Sequence, residues 1–234
     1  MSKASFEIVK NDDRLYFNDG EKYVLLDTGF FSNPSGKNSV SVNGRIGPFS
    51  VNRWGQSFFD RFINVKMADG QGASAVFNPM DGYTCQLKGN TLTISDEPTE
   101  FSGYDYFFEF TDKHFPFIAG SINGKNGRFL FDSGARMTMF FDKTLPAEPS
   151  VRTYREWMGQ EGKYEDLAVY RQIRLEFPNG FKYTGEGALI TDPKYVFQAS
   201  MARIRAVLGI DIFNYYDMSI IANGAKRGIA LHGR

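Results

Sequence analysis

Two short acidic motifs contain the residues of this chain whose types and spacing could do chemistry. Asp27-Thr28-Gly29 and Asp132-Ser133-Gly134 each follow an apolar run, and their aspartates lie 105 residues apart in a chain of 234. A carboxylate at the end of a core strand needs hydrogen-bond donors or a partner, because burial otherwise protonates it. Two carboxylates around one water would share a proton and act together as acid and base. We therefore take Asp27 and Asp132 as candidate catalytic residues.

The residues after each aspartate suit a supporting role. Gly29 and Gly134 would let the chain turn sharply and bring a backbone N–H group to the carboxylate. The hydroxyl groups of Thr28 and Ser133 could form hydrogen bonds across to the opposite half of the chain. We expect these four residues to hold the two aspartates in place.

The elements that must position these motifs form an internal repeat. In each copy a turn dipeptide, Asp19-Gly20 or Asn126-Gly127, precedes a short apolar strand that ends in the acidic motif. Repetition at half-chain spacing indicates two related halves. A segment with linker character, Asp96 to Gly103, separates them. We therefore predict an N-terminal lobe over residues 1–103 and a C-terminal lobe over residues 104–234.

Composition indicates an all-β fold. The chain has 23 Phe and 12 Tyr residues, and aromatic side chains are enriched in strands. Asn-Gly and Asp-Gly dipeptides recur along the sequence and supply the positive φ angles of tight hairpins. Helical periodicity is limited to Ser57 to Val65 and Asp192 to Ala199. We expect a protein built of strands, with few short helices.

Charge and cysteine content exclude several classes of function. Lys+Arg and Asp+Glu both number 27, so neither nucleic acid nor an anionic membrane is an expected partner. Cys85 is the single cysteine, and His114 and His232 have no spaced companion, so we predict no metal site and no cofactor. The N-terminus has no apolar signal region. A cytoplasmic location is expected, or a periplasmic or secreted one if an export signal was trimmed.

Three segments resemble those of the aspartic proteases, of both the single-lobe retropepsin type and the two-lobe pepsin type. They are Leu25-Leu26-Asp27-Thr28-Gly29, Leu130-Phe131-Asp132-Ser133-Gly134-Ala135 and Val207-Leu208-Gly209-Ile210-Asp211. The resemblance implies a two-lobed acid-protease-like fold of paired closed β-barrels or sheets, similar to a retropepsin dimer fused into one chain. Such a chain completes its own dyad, so a monomer is expected.

In that family, each aspartate loop is flanked by a later apolar segment that threads beside it. Val207-Leu208-Gly209 fits this role in the C-terminal lobe. The best candidate in the N-terminal lobe is Ala75-Val76-Phe77-Asn78, which lacks the glycine.

The same resemblance implies an aspartic endopeptidase that cleaves extended peptide or protein substrates. One aspartate would activate a water and the other would protonate the peptide carbonyl group. A mobile hairpin would cover the substrate, and its candidates are Ser41 to Gly47 and Glu156 to Tyr164. The implied substrate-binding residues are Phe30, Ala135, Trp157 and Gly159.

Two alternatives remain open from the sequence. Phe30 stands where the family usually has Ala, Ser or Thr, and this residue together with the missing N-terminal glycine favours a catalytically inactive peptide-binding relative. The other alternative is an unrelated β-sandwich carbohydrate enzyme, whose two acids would lie roughly 5–9 Å apart.

The residues that follow the two acidic motifs also bear on the pH at which a hydrolase would work. Neither Phe30 nor Ala135 has a hydroxyl group to bond the neighbouring aspartate and lower its pKa. Activity is therefore expected at mildly acidic to neutral pH.

Overall fold

Strands dominate the structure, a computed structural model that describes residues 3–11, 14–18, 23–29, 39–42, 49–53, 75–98, 102–145, 147–158 and 163–233. The strands of the N-terminal half are β1 (Lys3–Asn11), β2 (Arg14–Asn18), β3 (Tyr23–Leu26), β4 (Ser39–Val42), β5 (Phe49–Arg53), β6 (Ala75–Phe77), β7 (Thr84–Lys88) and β8 (Thr91–Ser95). Those of the C-terminal half are β9 (Tyr106–Glu109), β10 (Phe117–Ile122), β11 (Lys125–Phe131), β12 (Met139–Phe140), β13 (Glu148–Met158), β14 (Lys163–Glu176), β15 (Lys182–Leu189), β16 (Ile204–Leu208), β17 (Tyr216–Ile221) and β18 (Gly228–Gly233).

Helical structure is limited in the described residues. They contain one α-helix, α1 (Pro193–Met201), and two short 3₁₀ helices, Pro79–Asp81 and Ile210–Phe213. Asp192 caps α1 by accepting a hydrogen bond from the Lys194 N–H group, and Pro193 occupies its first turn. Within this part of the chain, no helix has the length and apolar character needed to cross a membrane.

An antiparallel sheet joins the two halves of the chain. Its strand order is β1-β8-β7-β17-β18-β9, so β7 from the first half pairs directly with β17 from the second. The central register places Cys85 opposite Ile220, and both side chains are fully buried. The two lobes therefore share a sheet in addition to the chain segment that links them.

The C-terminal half closes into a barrel. Strands follow the order β10-β11-β16-β12-β15-β14, and a further pairing of Ser121 in β10 with Glu176 in β14 closes the ring. The long β13–β14 hairpin extends from this barrel. These observations confirm the all-β, two-lobed fold class.

The N-terminal half repeats the part of this arrangement that carries the acidic motif. Strands β2 and β3 form an antiparallel hairpin, and β6 pairs in parallel with β3, as β16 does with β11. Strand β1 bends between two sheets, because residues 3–7 pair with β8 and residues 8–11 pair with β2. Each half thus presents a strand that ends in an aspartate beside a parallel partner.

The abundant aromatic residues pack beneath the second aspartate loop. The ring of Phe108 lies 5.0 Å from that of Phe177 and 5.5 Å from that of Phe213, measured between centroids. Phe213 in turn contacts Phe131, the fully buried residue that precedes Asp132. Edge-to-face pairs of this kind add about 0.5–1.5 kcal/mol each beyond area burial. The rings therefore provide a rigid base for the motif.

Several local predictions can be compared with the structure. The helix predicted from Asp192 is confirmed as α1, and Asn123-Gly124 forms the β10–β11 turn with φ angles of 47° and 80°. The turn predicted at Asn126-Gly127 is wrong, because both residues lie inside β11. A β-carbon at Gly127 would approach the Arg205 side chain, including its Cδ at 3.1 Å, so this glycine makes room for a neighbour. The helix predicted for Ser57 to Val65 lies outside the described residues.

Candidate active site

Crossed hydrogen bonds join the two acidic motifs. The Thr28 hydroxyl group donates to the carbonyl oxygen of Phe131 at 2.9 Å and accepts from the Ser133 N–H group at 3.0 Å. In the mirror arrangement, the Ser133 hydroxyl group donates to the carbonyl oxygen of Leu26 and accepts from the Thr28 N–H group, both at 3.0 Å. Thr28 and Ser133 are fully buried, so each hydroxyl satisfies two backbone groups of the other half.

The same packing brings the two candidate catalytic residues together. A β-carbon at Gly134 would lie 2.6 Å from Cγ of Asp27, and one at Gly29 would overlap the carboxyl group of Asp132. Each carboxyl group therefore occupies the space left by the glycine of the opposite motif. The Asp27 and Asp132 side chains are also hydrogen-bonded to each other. The structure thus brings together all six residues of the motifs.

Parallel strand pairing fixes the start of each loop. The Asp27 N–H group donates to the carbonyl oxygen of Phe77 at 3.1 Å, and the Asp132 N–H group donates to that of Leu208 at 3.0 Å. The segment Ala75-Val76-Phe77-Asn78 therefore threads beside the first loop as Val207-Leu208-Gly209 threads beside the second. The missing glycine does not prevent this pairing.

Burial of Asp132 and the groups around its carboxyl group shift its pKa in opposite directions. Desolvation of its carboxyl group raises the pKa of Asp132 above the usual range for aspartate. Hydrogen bonds from Asp27 and the Gly134 N–H group, together with the nearby charge of Arg14, oppose this rise. The Gly134 N–H group lies 2.9 Å from Oδ1 of Asp132. The pair can therefore retain a proton at a pH where an exposed carboxyl group would have lost it.

The four residues predicted to bind substrate have different outcomes. Ala135 is only 3% exposed, its carbonyl oxygen accepts a hydrogen bond from the Ile210 N–H group, and its side chain packs in a cluster of buried residues with Met139, Leu167, Ala188 and Ile190. Trp157 lies on β13, where its backbone pairs with Tyr164. Phe30 and Gly159 lie outside the described residues.

Both hairpins predicted as covers for the substrate have paired strands. Strands β4 and β5 pair antiparallel, and β13 and β14 pair as far as Met158 and Lys163. The connecting residues 43–48 and 159–162 lie outside the described part of the chain.

A network of charged and polar side chains beside the second loop was missed by the sequence analysis. Arg14 and Glu156 form a buried ion pair, with only 5% and 3% of their side chains exposed. Arg14 also donates through Nε to the carbonyl oxygen of Gly134 at 3.1 Å. Tyr154 donates to Glu156 and accepts from Nε of Arg136 at 3.1 Å. One signal was present in the sequence: Arg14 directly precedes three apolar or aromatic residues, Leu15-Tyr16-Phe17, which are typical of a buried strand.

A further buried carboxyl group, Asp211, follows the C-terminal threading segment. Its Oδ1 accepts a hydrogen bond from the Thr138 hydroxyl group at 3.1 Å, and Tyr183 also bonds to it. Desolvation raises the pKa of Asp211 to about 6 despite the bonds from Thr138. The same Thr138 hydroxyl group accepts from the Gly209 N–H group at 3.2 Å. Asp211 therefore supports the threading segment.

The contact between the aspartates also bears on the carbohydrate-enzyme alternative. Glycosidases place their two acids about 5 Å or more apart to accommodate the sugar. Here the carboxyl groups are within hydrogen-bonding distance of each other. This spacing does not fit that alternative. Among the described residues, no group of three His, Cys, Asp or Glu side chains is arranged to bind a metal ion.

Comparisons with known proteins add no relative to this description. A scan against protein-family models finds no match, and a search of curated proteins finds no significant similarity. Function must therefore be inferred from the geometry of the site.

Proposed function

We propose that this chain is an aspartic-type peptide hydrolase that uses Asp27 and Asp132 to cleave extended peptides. The observation that carries the proposal is the direct contact of two carboxyl groups from opposite halves, each seated against the glycine of the other motif. Two carboxylates in contact cannot both ionise easily, so the pair holds one proton and one negative charge. This is the state needed for combined acid and base catalysis.

The chemistry follows from this shared proton. The ionised aspartate accepts a proton from a water molecule, which attacks the carbonyl carbon of the peptide bond. The protonated aspartate donates its proton to the carbonyl oxygen, which stabilises the tetrahedral intermediate. When the intermediate breaks down, the C–N bond is cleaved and the amine leaves with the proton that the other aspartate had taken from water. The crossed hydrogen bonds of Thr28 and Ser133 keep the two carboxyl groups at this short separation.

An extended substrate suits the surrounding strands. The β13–β14 hairpin extends from the barrel, and Glu156 near its described end reaches Arg14 beside the second aspartate loop. A hairpin that approaches the site can add main-chain hydrogen bonds to an extended peptide. We therefore propose a peptide or protein substrate.

A cleavage assay tests the proposed hydrolase. Casein digestion is measured from pH 4 to 8 for the wild type, Asp27→Asn and Asp132→Asn, with folding checked by circular dichroism. Each substitution is expected to lower kcat/KM by on the order of 10³-fold or more, because it removes the acid–base pair. Asp217→Asn is the matched control, since its carboxylate bonds the Gly89 N–H group outside the pair. Equal activity of the folded dyad variants and the control would contradict the proposal.

A catalytically inactive peptide-binding protein is the second candidate. The observation that favours it is Asn78, which occupies the position that corresponds to Gly209 in the other half. Titration with a statine-type peptide separates the two candidates. Binding that requires both aspartates, accompanied by casein cleavage, supports the hydrolase. Binding without cleavage at any pH in the assay supports the inactive relative.

A further inference from the structure

A buried ion pair connects three parts of the molecule that meet at the aspartates. Arg14 lies at the start of β2, whose pairing with β3 runs toward Asp27. Its guanidinium group bonds the Gly134 carbonyl oxygen on one side and the Glu156 carboxylate of the β13–β14 hairpin on the other. Burial of two charges is costly unless both are paired and hydrogen-bonded. This arrangement therefore places a paired charge beside the catalytic loop.

The backbone of Gly134 is hydrogen-bonded through both its N–H group and its carbonyl oxygen. Its N–H group donates to Asp132, and its carbonyl oxygen accepts from Arg14. A shift of the Arg14 guanidinium group would therefore move the donor that orients the Asp132 carboxylate. Arg136, two residues further on, bonds Tyr154 and the carbonyl oxygen of Arg155 on the hairpin. The hairpin strand is thus attached to the loop at two points.

We propose that Arg14 is a positioning residue for the Asp27–Asp132 pair, kept in place by Glu156, and that this ion pair connects the β13–β14 hairpin to the loop of Asp132. The expected effect on the cleavage rate rests on the proposed hydrolase function. The expected effect of Arg14 on the pKa of the Asp27–Asp132 pair does not depend on that function, so it can be measured whether or not the chain cleaves peptides.

Titratable groups around Asp132 come from several elements. Asp27 follows β3, Arg14 lies on β2, and Glu156 and Tyr154 lie on β13. Asp211, in the 3₁₀ helix after β16, bonds Thr138 and Tyr183. Arg136 bonds Tyr154. Arg14 is the charged group whose field lowers the pKa of Asp132.

The two members of the ion pair have opposite predicted effects. Arg14→Gln removes the positive charge between Asp132 and Glu156, so the apparent pKa of the acid limb should rise by about one unit. Glu156→Gln removes the negative charge that faces Arg14, so the acid limb should move down by about half a unit. A purely structural ion pair would lower stability in both variants without this difference in sign.

Further variants separate charge from geometry. Arg14→Lys keeps the charge but loses the planar group that spans Gly134 and Glu156, so kcat should fall about tenfold while the acid limb stays in place. In the Arg14→Gln/Glu156→Gln double variant the limb should return close to that of the wild type, with kcat still reduced. Arg152→Gln and Glu186→Gln are matched controls, because they remove a more exposed pair whose Arg152 also lies on β13.

The experiment combines pH–rate profiles on casein with NMR titration of ¹³Cγ-labelled aspartate, using Asp132→Asn to assign the signal. Opposite shifts in the two single variants, absent from the controls, are the expected result. Shifts of the same sign, or shifts no larger than those of the controls, would overturn the proposal. If Arg14→Gln does not fold, a downward shift in Glu156→Gln with no shift in Arg14→Lys supports the proposal, and an unchanged or raised acid limb in Glu156→Gln overturns it. Opposite NMR shifts in a chain that cleaves nothing would reject the hydrolase and retain the positioning role.

Discussion

The N-terminal and C-terminal aspartate loops are alike up to their glycines and differ in what packs behind them. Both donate a backbone N–H···O bond to a parallel threading strand, and both contribute one hydroxyl group to the crossed hydrogen bonds. The position after the threading strand is Asn78 in one half and Gly209 in the other. Two residues later, Met80 in the first half corresponds to Asp211 in the second. The shared features hold the carboxyl groups, whereas the local packing differs between the halves.

The reason for the glycine is visible in the second half. A β-carbon at Gly209 would lie 2.6 Å from the backbone carbon of Met137 and 2.8 Å from its oxygen. The backbone returns closely here, although the φ of Gly209 is an ordinary −79°. Asn78 instead caps the 3₁₀ helix Pro79–Asp81 by accepting from the Met80 N–H group at 2.9 Å. Gly209 is therefore needed because the Met137 backbone passes too close for a side chain. In the first half, the corresponding residue Asn78 uses its side chain to cap a helix.

The largest predicted effect concerns the crossed hydrogen bonds, to which both halves contribute one hydroxyl group. Thr28→Val and Ser133→Ala each leave one buried N–H group and one buried carbonyl group without a partner. Each variant should lose about 3 kcal/mol of unfolding free energy in urea titrations, and the two losses should be similar. Thr93→Val, at an exposed hydroxyl pair, is the control and should change stability by about 0.5 kcal/mol or less. Clearly different losses of unfolding free energy in Thr28→Val and Ser133→Ala would contradict an equal contribution of the two halves.

The next prediction concerns the position after each threading strand, where the two halves differ. Gly209→Ala forces a β-carbon into the Met137 backbone and should cost about 2–3 kcal/mol. Asn78→Ala removes only a helix cap and should cost about 1 kcal/mol. Chemical denaturation of both variants measures the difference. A loss at Asn78 equal to that at Gly209 would show that the two positions have the same role.

A pH effect is predicted for the C-terminal half alone. The pKa of Asp211 is raised to about 6 in the fold by burial, so the folded state binds this proton more tightly than the unfolded chain. Stability from this group is present below about pH 4 and is lost as pH rises through about 6. Asp211→Asn should remove about 1–3 kcal/mol of that dependence. Thermal unfolding of both proteins between pH 4 and 8 provides the measurement, and parallel pH curves would contradict the assignment.

The smallest effect concerns the residue after the second motif. Ala135→Ser supplies a hydroxyl group next to Asp132, and a hydrogen bond to the charged form lowers a carboxyl pKa. The acid limb of the pH–rate profile should move down by about half a unit. Ala135→Gly serves as the control for altered packing at this 3% exposed position. An upward shift in the serine variant would contradict the hydroxyl argument.

The extent to which sequence could predict this molecule depends on how local each feature is. The apolar strand before Asp27, which spans Tyr23–Leu26, and the helix at Pro193 are encoded by neighbouring residues and were predicted correctly. The Arg14–Glu156 pair joins positions 142 residues apart, and no local pattern specifies it.

Barrel closure and turn choice were harder to predict for related reasons. The pairing of β10 with β14 depends on residues about 55 positions apart, so it leaves no trace in short windows. Two Asn-Gly dipeptides lie three residues apart, and either could form the turn. Asn123-Gly124 forms it, whereas Asn126-Gly127 lies inside β11. The second glycine was needed instead for the approach of Arg205.

The central claim is that two carboxyl groups from opposite halves share one site. A crystal structure of the protein with a statine-type peptide tests it most directly. We predict the statine hydroxyl group within about 3 Å of carboxylate oxygens of both Asp27 and Asp132. Carboxyl groups about 5 Å or more apart, or a peptide bound away from them, would contradict the claim.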